Sequence, residues 1–267
     1  MGLPTSPRFD LDGTVAVVTG GSRGVGVGIA REFLLAGASV VTCSRQELDP
    51  PPATDGLDPS AAARAVHLRC DHRDPAQVAE LVARTCDTFG RIDVLVNNAG
   101  GSPTASAAES SGGYFASVLA LNLVGPFVMS RAVNEVMQAQ DEGGVIVNIS
   151  SLIAEMAAPG LAGYGAAKAG LNHLTRTLAV EWGPKVRVVG LGLGSMSTPS
   201  FEEYLSRQPP PTRQILIDGV GLGRLGTPEE MGRACIMLAS DLCPFINGET
   251  IYADGGARLG APLTEDG

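Results

Sequence analysis

The strongest constraint on the fold comes from residues 14–43, where a strand, a glycine-rich turn, a helix and a second strand follow one another. The run TVAVVT at 14–19 is apolar and β-branched, which is typical of a strand buried in a parallel sheet. The turn GGSRGVG comes next, and Ile29, Phe33 and Leu34 then recur at helical spacing before Gly37 ends the helix. A second strand is predicted over 38–43. Two strands joined in this way form a βαβ unit, which predicts an α/β sheet.

The rest of the chain repeats this alternation and shows no internal repeat. We predict further strands at 65–70, 92–96, 145–149, 186–191 and 250–253, and helices at 76–89, 114–137, 228–240 and around 164–173. Asp74 and Thr227 are expected N-caps, and Gly125-Pro126 should weaken or bend the long helix. The predicted fold is α/β, a doubly wound parallel sheet (Rossmann fold), in a single domain over residues 1–267.

Two segments interrupt the pattern. Residues 46–64 carry four prolines where a doubly wound fold places a crossover helix, so we expect a loop with at most a short helix near 59–64. Residues 192–226 are long, proline-bearing and irregular, which is typical of a mobile substrate lid around 195–225. Met196, Phe201, Tyr204 and Leu205 are apolar there, which favours a partly hydrophobic substrate.

The turn at 20–26 is a candidate anion site. It follows a strand and opens a helix, whose first turn offers free backbone N–H groups to a pyrophosphate. A glycine-rich turn alone is weak evidence, since it can be a tight turn with no ligand, but here it has the context that a dinucleotide site requires. The small residues Asn97 to Gly101, after the fourth strand, would allow a flat ligand to approach the backbone.

Ser151, Tyr164 and Lys168 are the candidate catalytic residues. Tyr164 and Lys168 are predicted to share one helix, and residues four apart lie on the same face. A lysine ammonium beside a phenol favours the phenolate, so we expect a lowered pKa for Tyr164 and general acid or base action near neutrality. Ser151, just past a strand, could hold a substrate oxygen in front of Tyr164. On this pair alone, the alternative is a surface helix that happens to carry a tyrosine and a lysine.

Charge and cysteine content exclude several classes of protein. The net charge of −9 and a pI near 4.8 argue against binding to nucleic acid or to an anionic membrane. The five cysteines never form a CxxC pair and the three histidines show no ligand spacing, so we expect reduced thiols and no metal. The first residues contain no apolar leader core, and no apolar run approaches a membrane span. These features predict a soluble, cytoplasmic protein.

Several short motifs, taken in order, resemble the short-chain dehydrogenase/reductase family over about residues 9–256. They are TGGSRGVG at 19–26, Asp71, NNAG at 97–100, Asn122, Ser151, YGAAK at 164–168 and DGG at 254–256. Each motif is weak by itself, but their order, with Ser151 thirteen residues before Tyr164, makes the set specific.

The resemblance implies an oxidoreductase that interconverts a carbonyl and a secondary alcohol on a small or medium organic substrate. Tyr164 would be the proton donor or acceptor, and Ser151 would hydrogen-bond the reacting oxygen. Lys168 would lower the pKa of Tyr164 and hold the nicotinamide ribose. Asn122 would connect Lys168 to solvent through an ordered water, although from local sequence a polar residue at the Gly125-Pro126 bend is the alternative.

The resemblance also implies a set of cofactor contacts. Gly20, Gly24 and Gly26, with Ser22, Arg23 and Val25, would line the pyrophosphate turn. Asp71 would meet the adenine, and Asn98, Ala99 and Gly100 would pack against the adenosine side. Tyr164 and Lys168 would reach the nicotinamide end. After the sixth strand the family's Asn-x-x-x-Pro-Gly is replaced by Val189, Leu193 and Gly194, but Gly194 and Thr198 remain for the carboxamide.

The residues after the second strand bear on the choice between NADP(H) and NAD(H). Relatives that prefer NAD carry an acidic residue there, whereas this chain has Ser44 and Arg45, with Arg23 in the glycine-rich turn. Two guanidiniums and a hydroxyl suit a 2′-phosphate, so NADP(H) is favoured. NAD(H) stays possible, because an arginine at this place can also stack on adenine.

Three further expectations follow from the resemblance. The family implies a homo-oligomer, a tetramer or a dimer, built through the helices near Asn122 and Tyr164. An NAD-dependent alcohol dehydrogenase with the same catalytic residues is the alternative enzyme. A dinucleotide-binding sensor without turnover is the alternative from another class, and the retention of Ser151, Tyr164 and Lys168 argues against it.

Overall fold

The computed structural model describes residues 10–260. Seven strands form one parallel sheet: β1 Val15–Thr19, β2 Ser39–Ser44, β3 Ala65–Arg69, β4 Val94–Asn97, β5 Gly144–Ser151, β6 Val186–Leu193 and β7 Thr250–Ala253. Their order in the sheet is β3-β2-β1-β4-β5-β6-β7. The order reverses direction between β1 and β4, and this is the doubly wound arrangement that the sequence predicted. The expected absence of a leader falls largely on residues 1–9, outside the described residues.

Helices cover both faces of the sheet. The nine are α1 Val25–Leu35, α2 Pro59–Ala62, α3 Pro75–Phe89, α4 Gly112–Leu119, α5 Gly125–Ala139, α6 Ala162–Trp182, α7 Pro199–Ser206, α8 Pro211–Asp218 and α9 Pro228–Ala239 within residues 10–260. Helices α1 and α9 pack on one face, while α3, α5 and α6 pack on the other. Side chains alternate along the strands accordingly: Ala16 and Val18 belong to the first layer and Val17 to the second.

Local signals set several helix boundaries as predicted. The Asp74 carboxylate accepts hydrogen bonds from the backbone of Ala76 at 2.9 Å and of Gln77 at 3.4 Å, so Asp74 is the N-cap of α3. The Thr227 hydroxyl caps α9, and the Glu230 side chain reciprocally accepts from the Thr227 backbone N–H. These contacts use N–H groups that a helix start leaves without partners, which is why Asp and Thr are favoured there.

The long helix predicted over 114–137 is interrupted as Gly125-Pro126 suggested. A π-helical turn, Ala120–Val124, joins α4 to α5, and the Gly125 N–H donates to the carbonyl of Ala120, five residues back. Pro126 has no N–H, so the regular ladder of hydrogen bonds fails at this point. His72 lies beside the turn and its Nε2 is 3.0 Å from the Leu121 carbonyl. The interruption is therefore a wider turn that holds Asn122.

The segment after β6 corrects the prediction of an irregular lid. Two helices of eight residues each, α7 and α8, occupy about half of it, and each begins with a proline in its first turn. A bridge between Met196 and Gly226 ties the ends of the segment together. The proline-rich 46–64 segment does contain only short helical pieces, Pro52–Thr54 and α2.

One further expectation needs correction. The helical stretch Gly112–Ala139 is long and apolar enough to cross a membrane by length and composition, whereas we expected no such run. A core helix of a layered protein passes the same test, and Met129, Val133 and Met137 of this stretch pack in the core. The prediction of unpaired thiols is confirmed, since all five cysteines are free and Cys43, Cys70 and Cys235 are buried.

Candidate active site

A cleft of about 690 Å³ opens at the carboxyl ends of the strands, across the point where the strand order reverses. This is where open parallel sheets bind ligands. Every residue predicted for the site except Asn122 lines it. Those residues are Gly20, Ser22, Arg23, Gly24, Val25, Gly26, Ser44, Arg45, Asp71, Asn98, Ala99, Gly100, Ser151, Tyr164, Lys168, Gly194 and Thr198.

The glycine-rich turn fits a pyrophosphate closely. Gly24 has a φ of 56°, in the left-handed region, and it precedes α1 without any side-chain cap on the helix. A Cβ on Gly26 would lie 2.3 Å from the carbonyl oxygen of Gly20. The N–H groups of the first turn of α1 therefore face the cleft with no side chain in front of them, and an anion is stabilised at such a helix start.

A threonine missed by the sequence analysis holds the opposite side of this turn. The Thr19 hydroxyl accepts hydrogen bonds from the backbone N–H of Asn98 at 3.0 Å and of Ala99 at 2.9 Å. The Asn98 side chain returns a bond to the Thr19 carbonyl at 2.8 Å. These contacts join the end of β1 to the end of β4. A threonine directly before a glycine-rich turn was the available signal.

Arg23 and Arg45 are exposed on the wall at the β2 end of the cleft. Neither guanidinium forms an ion pair within residues 10–260. Ser44 is more constrained, because its hydroxyl donates to the Gln46 carbonyl at 3.1 Å and accepts from the Gln46 N–H at 3.2 Å. His67 also approaches it, with Nε2 3.1 Å from the Ser44 hydroxyl. The wall thus offers two arginines and no carboxylate to a ribose.

Asp71 lies in the cleft but is paired with Arg73, which the sequence analysis missed. The guanidinium donates to both carboxylate oxygens, at 2.8 and 2.6 Å. Hydrogen bonding to Arg73 lowers the pKa of Asp71 to about 2. The pair leaves Asp71 ionised, and it places the plane of Arg73 on the cleft wall beside it. The spacing of two residues between opposite charges was the signal for this pair.

Ser151, Tyr164 and Lys168 come together where β5 meets α6. Ser151 is the last residue of β5 rather than just past it, and its hydroxyl accepts from the backbone N–H of Ile153 at 3.2 Å. Tyr164 stands in the first turn of α6, and Lys168 follows one turn later on the same face. Lys168 is buried and its Nζ donates to the carbonyl of Ile149 at 2.7 Å.

The electrostatics of this group differ from the expectation. Burial raises the pKa of Tyr164 above its ordinary value, and the neighbouring Ser151 hydroxyl offsets this only in part. Burial lowers the pKa of Lys168 to about 8. The Lys168 ammonium is directed at the Ile149 carbonyl and lies 5.7 Å from the centre of the Tyr164 ring. The expected lowering of the Tyr164 pKa is therefore wrong for this structure, because desolvation of the phenolate dominates.

Asn122 is the one predicted site residue whose side chain the structure keeps out of the cleft. It is fully buried in the π-helical turn. Its amide accepts from the Gly101 N–H at 2.9 Å and donates to the Gly101 carbonyl at 2.9 Å and to the Val118 carbonyl at 3.0 Å. A Cβ on Gly100 would lie 2.7 Å from Asn122 Oδ1 and 3.3 Å from Lys168 Nζ. Asn122 therefore fixes the loop after β4, close to Lys168.

The substrate side of the cleft was only partly foreseen. Met196 and Phe201, noted as apolar residues of the lid, do line it, whereas Leu205 is buried and Tyr204 points outward. Residues that the sequence analysis did not single out also line this side: Ser150, Leu152, Ile153, Leu161, Ser195 and Ser200. Periodicity carried no signal for them, because they lie at the end of β5, in turns and loops, and at the start of α7.

The hydroxyl of Ser150 is a further sign that the cleft binds a polar group. Ser150 is 2% exposed and lines the cleft, but its Oγ has no hydrogen-bond partner within residues 10–260. Buried hydroxyls are normally satisfied by protein, water or ligand. Together with the uncapped start of α1, this fits a bound dinucleotide. The fold and the cleft are those of a Rossmann-type oxidoreductase.

Comparisons with known proteins agree with this class. A family model described as enoyl-(acyl carrier protein) reductase matches residues 20–258. The 3alpha-hydroxysteroid dehydrogenase of Mediterraneibacter gnavus is 34% identical over 261 residues, covering 93% of this chain and 98% of the relative. The L-fucose dehydrogenase of Bos taurus is 34% identical over 252 residues, with 93% and 90% covered.

A solved structure agrees equally well. A crystal structure described as a short-chain dehydrogenase/reductase from Burkholderia xenovorans superposes with a TM-score of 0.88 at 32% identity, covering 94% of this chain and 99% of that one. The chain belongs to the short-chain dehydrogenase/reductase family, and it is an NAD(P)-dependent enzyme.

Proposed function

We propose that the protein transfers a hydride between NADP(H) and a carbonyl compound or secondary alcohol, with Tyr164 as proton donor or acceptor. The observation that carries this proposal is the meeting of Ser151, Tyr164 and Lys168 on one wall of the cleft. The bound nicotinamide supplies or accepts the hydride, and the protein supplies alignment and the proton. Two relatives named as dehydrogenases of hydroxyl-bearing molecules support the same reaction class.

Ser151 is placed to hold the reacting oxygen. Its hydroxyl accepts one hydrogen bond, from the Ile153 N–H, and the Tyr164 phenol is the neighbour that its own hydrogen can reach. That hydrogen can instead be donated to a substrate oxygen between Ser151 and Tyr164. Because donors fixed in advance need no reorganisation as charge develops, such a contact stabilises the transition state.

Lys168 is placed to restore the proton that Tyr164 gives up. A pKa of about 8 allows this lysine to exchange its proton close to neutral pH. In this proposal the relay continues to solvent through an ordered water near Asn122, and Asn122 acts on it by fixing the Gly101 loop. Burial raises the pKa of Tyr164. Ionisation of Tyr164 to the phenolate therefore requires stabilisation in addition to that provided by the contacts within the structure.

The preference for NADP(H) is the finer part of the proposal. Arg23 and Arg45 are exposed at the wall and have no acidic partner within the described residues, so they can pair with a 2′-phosphate. NAD(H) is the second candidate. The Ser44 hydroxyl already contacts Gln46 and His67, which limits the hydrogen bonds that it can donate to a 2′-phosphate. This contact pattern favours NAD(H).

We also propose that the enzyme is a cytoplasmic homo-oligomer, a dimer or a tetramer. Phe115, Val124 and Phe127 are 40%, 48% and 40% exposed along α4, the π-helical turn and α5. A contiguous apolar face of this kind is typical of protein contact surfaces. Sedimentation equilibrium measures the oligomeric state, and Phe127→Glu is expected to shift it toward monomer.

The experiment that tests the function has two steps. Titration of the purified protein with NADPH and with NADH, followed by the fluorescence of the reduced nicotinamide, compares the two affinities. NADPH is expected to bind at least about tenfold more tightly. Oxidation of the bound cofactor is then followed with a panel of aldehydes and ketones. Binding without any carbonyl-dependent oxidation would mean a dinucleotide sensor, and equal affinities would mean that the arginines do not read a phosphate.

A further inference from the structure

A second cavity, of about 270 Å³, lies beside the main cleft on the substrate side. Leu161, three residues before Tyr164, lines both cavities. On the other wall, Gly101 of the main cleft is followed directly by Ser102 of the second cavity. A backbone hydrogen bond of 2.9 Å from Ala105 to Gly160 ties the two loops around this cavity. The second cavity therefore adjoins the main cleft at Leu161.

Within residues 10–260, the charged side chains of the main cleft lie away from its substrate side. Arg23, Arg45, Asp71 and Arg73 lie at the dinucleotide end of the main cleft, and Lys168 is buried against the Ile149 carbonyl. The lining of the second cavity contains no Asp, Glu, Lys, Arg or His among the described residues. A carboxylate or phosphate on the substrate would thus enter without a counter-charge, which is strongly unfavourable.

Several side chains on the substrate side are apolar. Leu161 lines both cavities, and Ile153, Met196 and Phe201 line the main cleft, where Ser195 and Ser200 add hydroxyls. Each methylene group buried against the apolar side chains strengthens binding by about fourfold. These side chains therefore favour a hydrocarbon body between the reacting oxygen and the far end of the substrate.

Two of the hydroxyls that line the second cavity, those of Tyr114 and Ser102, form one hydrogen-bonded group. Tyr114 Oη donates to the Pro103 carbonyl at 2.6 Å, Ser102 Oγ is 2.9 Å from the same carbonyl, and the two hydroxyl oxygens are 3.0 Å apart. Each hydroxyl hydrogen has an acceptor within this group, the Pro103 carbonyl or the other hydroxyl, so lone pairs remain on the oxygens. They can accept a hydrogen bond, and a ligand must donate it.

We infer that the substrates are neutral, largely apolar ketones or secondary alcohols that carry a second hydroxyl at the far end. The reacting oxygen would meet Ser151 and Tyr164, the hydrocarbon body would cross Leu161, and the distal hydroxyl would donate to Tyr114 and Ser102 in the second cavity. This inference rests on the proposed oxidoreductase function, and it assigns Tyr114 and Ser102 as residues that determine specificity.

The test uses methyl ketones from butanone to dodecanone, with the same ketones bearing a terminal hydroxyl, methoxy or carboxylate group. We expect kcat/KM to rise with chain length and then to level off. Beyond that length the hydroxyl compound should exceed the methoxy compound by at least about fivefold, the contribution of one neutral hydrogen bond. The carboxylates should be the poorest substrates at every length.

Variants locate the effect. In Tyr114→Phe, and independently in Ser102→Ala, the ratio of kcat/KM for hydroxyl over methoxy compounds should fall toward one. Tyr204→Phe, which removes an outward hydroxyl on α7, should keep the ratio of the unchanged enzyme. Because Tyr114→Phe and Ser102→Ala are measured separately, the test remains possible if one of them fails to fold.

Calorimetric titration of the same compounds into the protein with bound NADPH distinguishes failure of the proposed reaction from failure of the inference about the second cavity. If no ketone is reduced but the hydroxyl compounds bind preferentially, the proposed reaction fails and the assignment of the second cavity stands. If short ketones are reduced while chain length and the distal hydroxyl change neither rate nor affinity, the reaction stands and this inference is overturned. Preference for the carboxylates would also overturn it.

Discussion

Lys168 and Tyr164 lie one helical turn apart on α6, with the lysine Nζ 5.7 Å from the centre of the tyrosine ring. The ammonium is hydrogen-bonded to the Ile149 carbonyl and not to the phenol. The lysine therefore stands at a distance from which it can influence Tyr164 electrostatically, while its position is fixed by β5. Burial of both groups, and not their attraction, dominates their pKa values in this structure.

Removing the phenol oxygen of Tyr164 should abolish most turnover. Because general acid or base action contributes about 10²–10⁴ in rate, we expect Tyr164→Phe to lower kcat by a factor in that range. The affinity for NADPH should change little, since the ring is kept. Steady-state kinetics and fluorescence titration measure the two quantities. Tyr204→Phe is the matched control, and near-normal turnover in Tyr164→Phe would refute Tyr164 as proton donor.

Lys168 should give the stability of the protein a measurable dependence on pH. Burial lowers its pKa from 10.5 to about 8 in the folded protein. Between these values the unfolded chain binds more protons than the folded one, so the free energy of unfolding rises with pH. From about pH 7 to about pH 10 the wild type should gain about 2–3 kcal/mol relative to Lys168→Met, which cannot titrate there.

Urea unfolding at both pH values measures this difference. The control is Lys185→Met, which removes the other lysine of the chain. Lys185 is exposed, with Nζ donating to the carbonyls of Gln138 and Gln140, and this variant controls for the loss of a lysine side chain as such. An unchanged slope in Lys168→Met would show that Lys168 keeps its ordinary pKa.

Arg23 and Arg45 should decide the choice of cofactor. Each charge-assisted hydrogen bond contributes about 1.5–3 kcal/mol, reduced by exposure, so either arginine changed to alanine should weaken NADPH binding by about tenfold. NADH binding should be nearly unaffected. Arg84→Ala removes an exposed guanidinium on α3 and serves as the control. Equal weakening of both dinucleotides would place the arginines at the adenine or the pyrophosphate.

Much of the fold was predictable, because its elements follow from local chemistry. The β-branched runs of β1 and β5 predict buried strands, and Asp74 and Thr227 predict helix starts. The prediction that residues 192–226 are irregular was wrong, because prolines were interpreted as helix breakers although Pro199 and Pro211 stand in the first turns of α7 and α8. A proline can end a helix or stand in the first turn of one, and the packing of the residues that follow determines which of the two occurs.

The site was predictable where a motif carries several residues, and not where one contact joins distant segments. Tyr164 and Lys168 line the same cleft as most residues of the glycine-rich turn. The Thr19 contacts with Asn98 and Ala99 span about eighty residues, and the threonine before the glycine-rich turn does not by itself indicate which distant residues it contacts. The pKa of Tyr164 was also mispredicted, since spacing along a helix says nothing about how deeply its groups are buried.

Asn122 offers a test between a role in the relay and a role in positioning. All three hydrogen bonds of its buried amide go to Gly101 and Val118, so Asn122→Ala leaves buried backbone groups without partners. Each such group costs about 1–3 kcal/mol, and we expect the free energy of unfolding to fall by at least about 2 kcal/mol, with weaker NADPH binding.

Asn122→Asp refines this test, because a carboxylate can still accept from the Gly101 N–H but cannot donate to the carbonyls of Gly101 and Val118. It should therefore be as unstable as Asn122→Ala or more so. Asn134→Ala, on α5, removes an amide that accepts only a side-chain bond from Gln138 and should leave stability and binding nearly unchanged. A residue that acts only through a relay would behave differently: both Asn122 variants would lose turnover while unfolding and NADPH binding stayed as in the wild type. Parallel loss of stability, binding and turnover would show that Asn122 acts by holding the loop after β4 against Lys168.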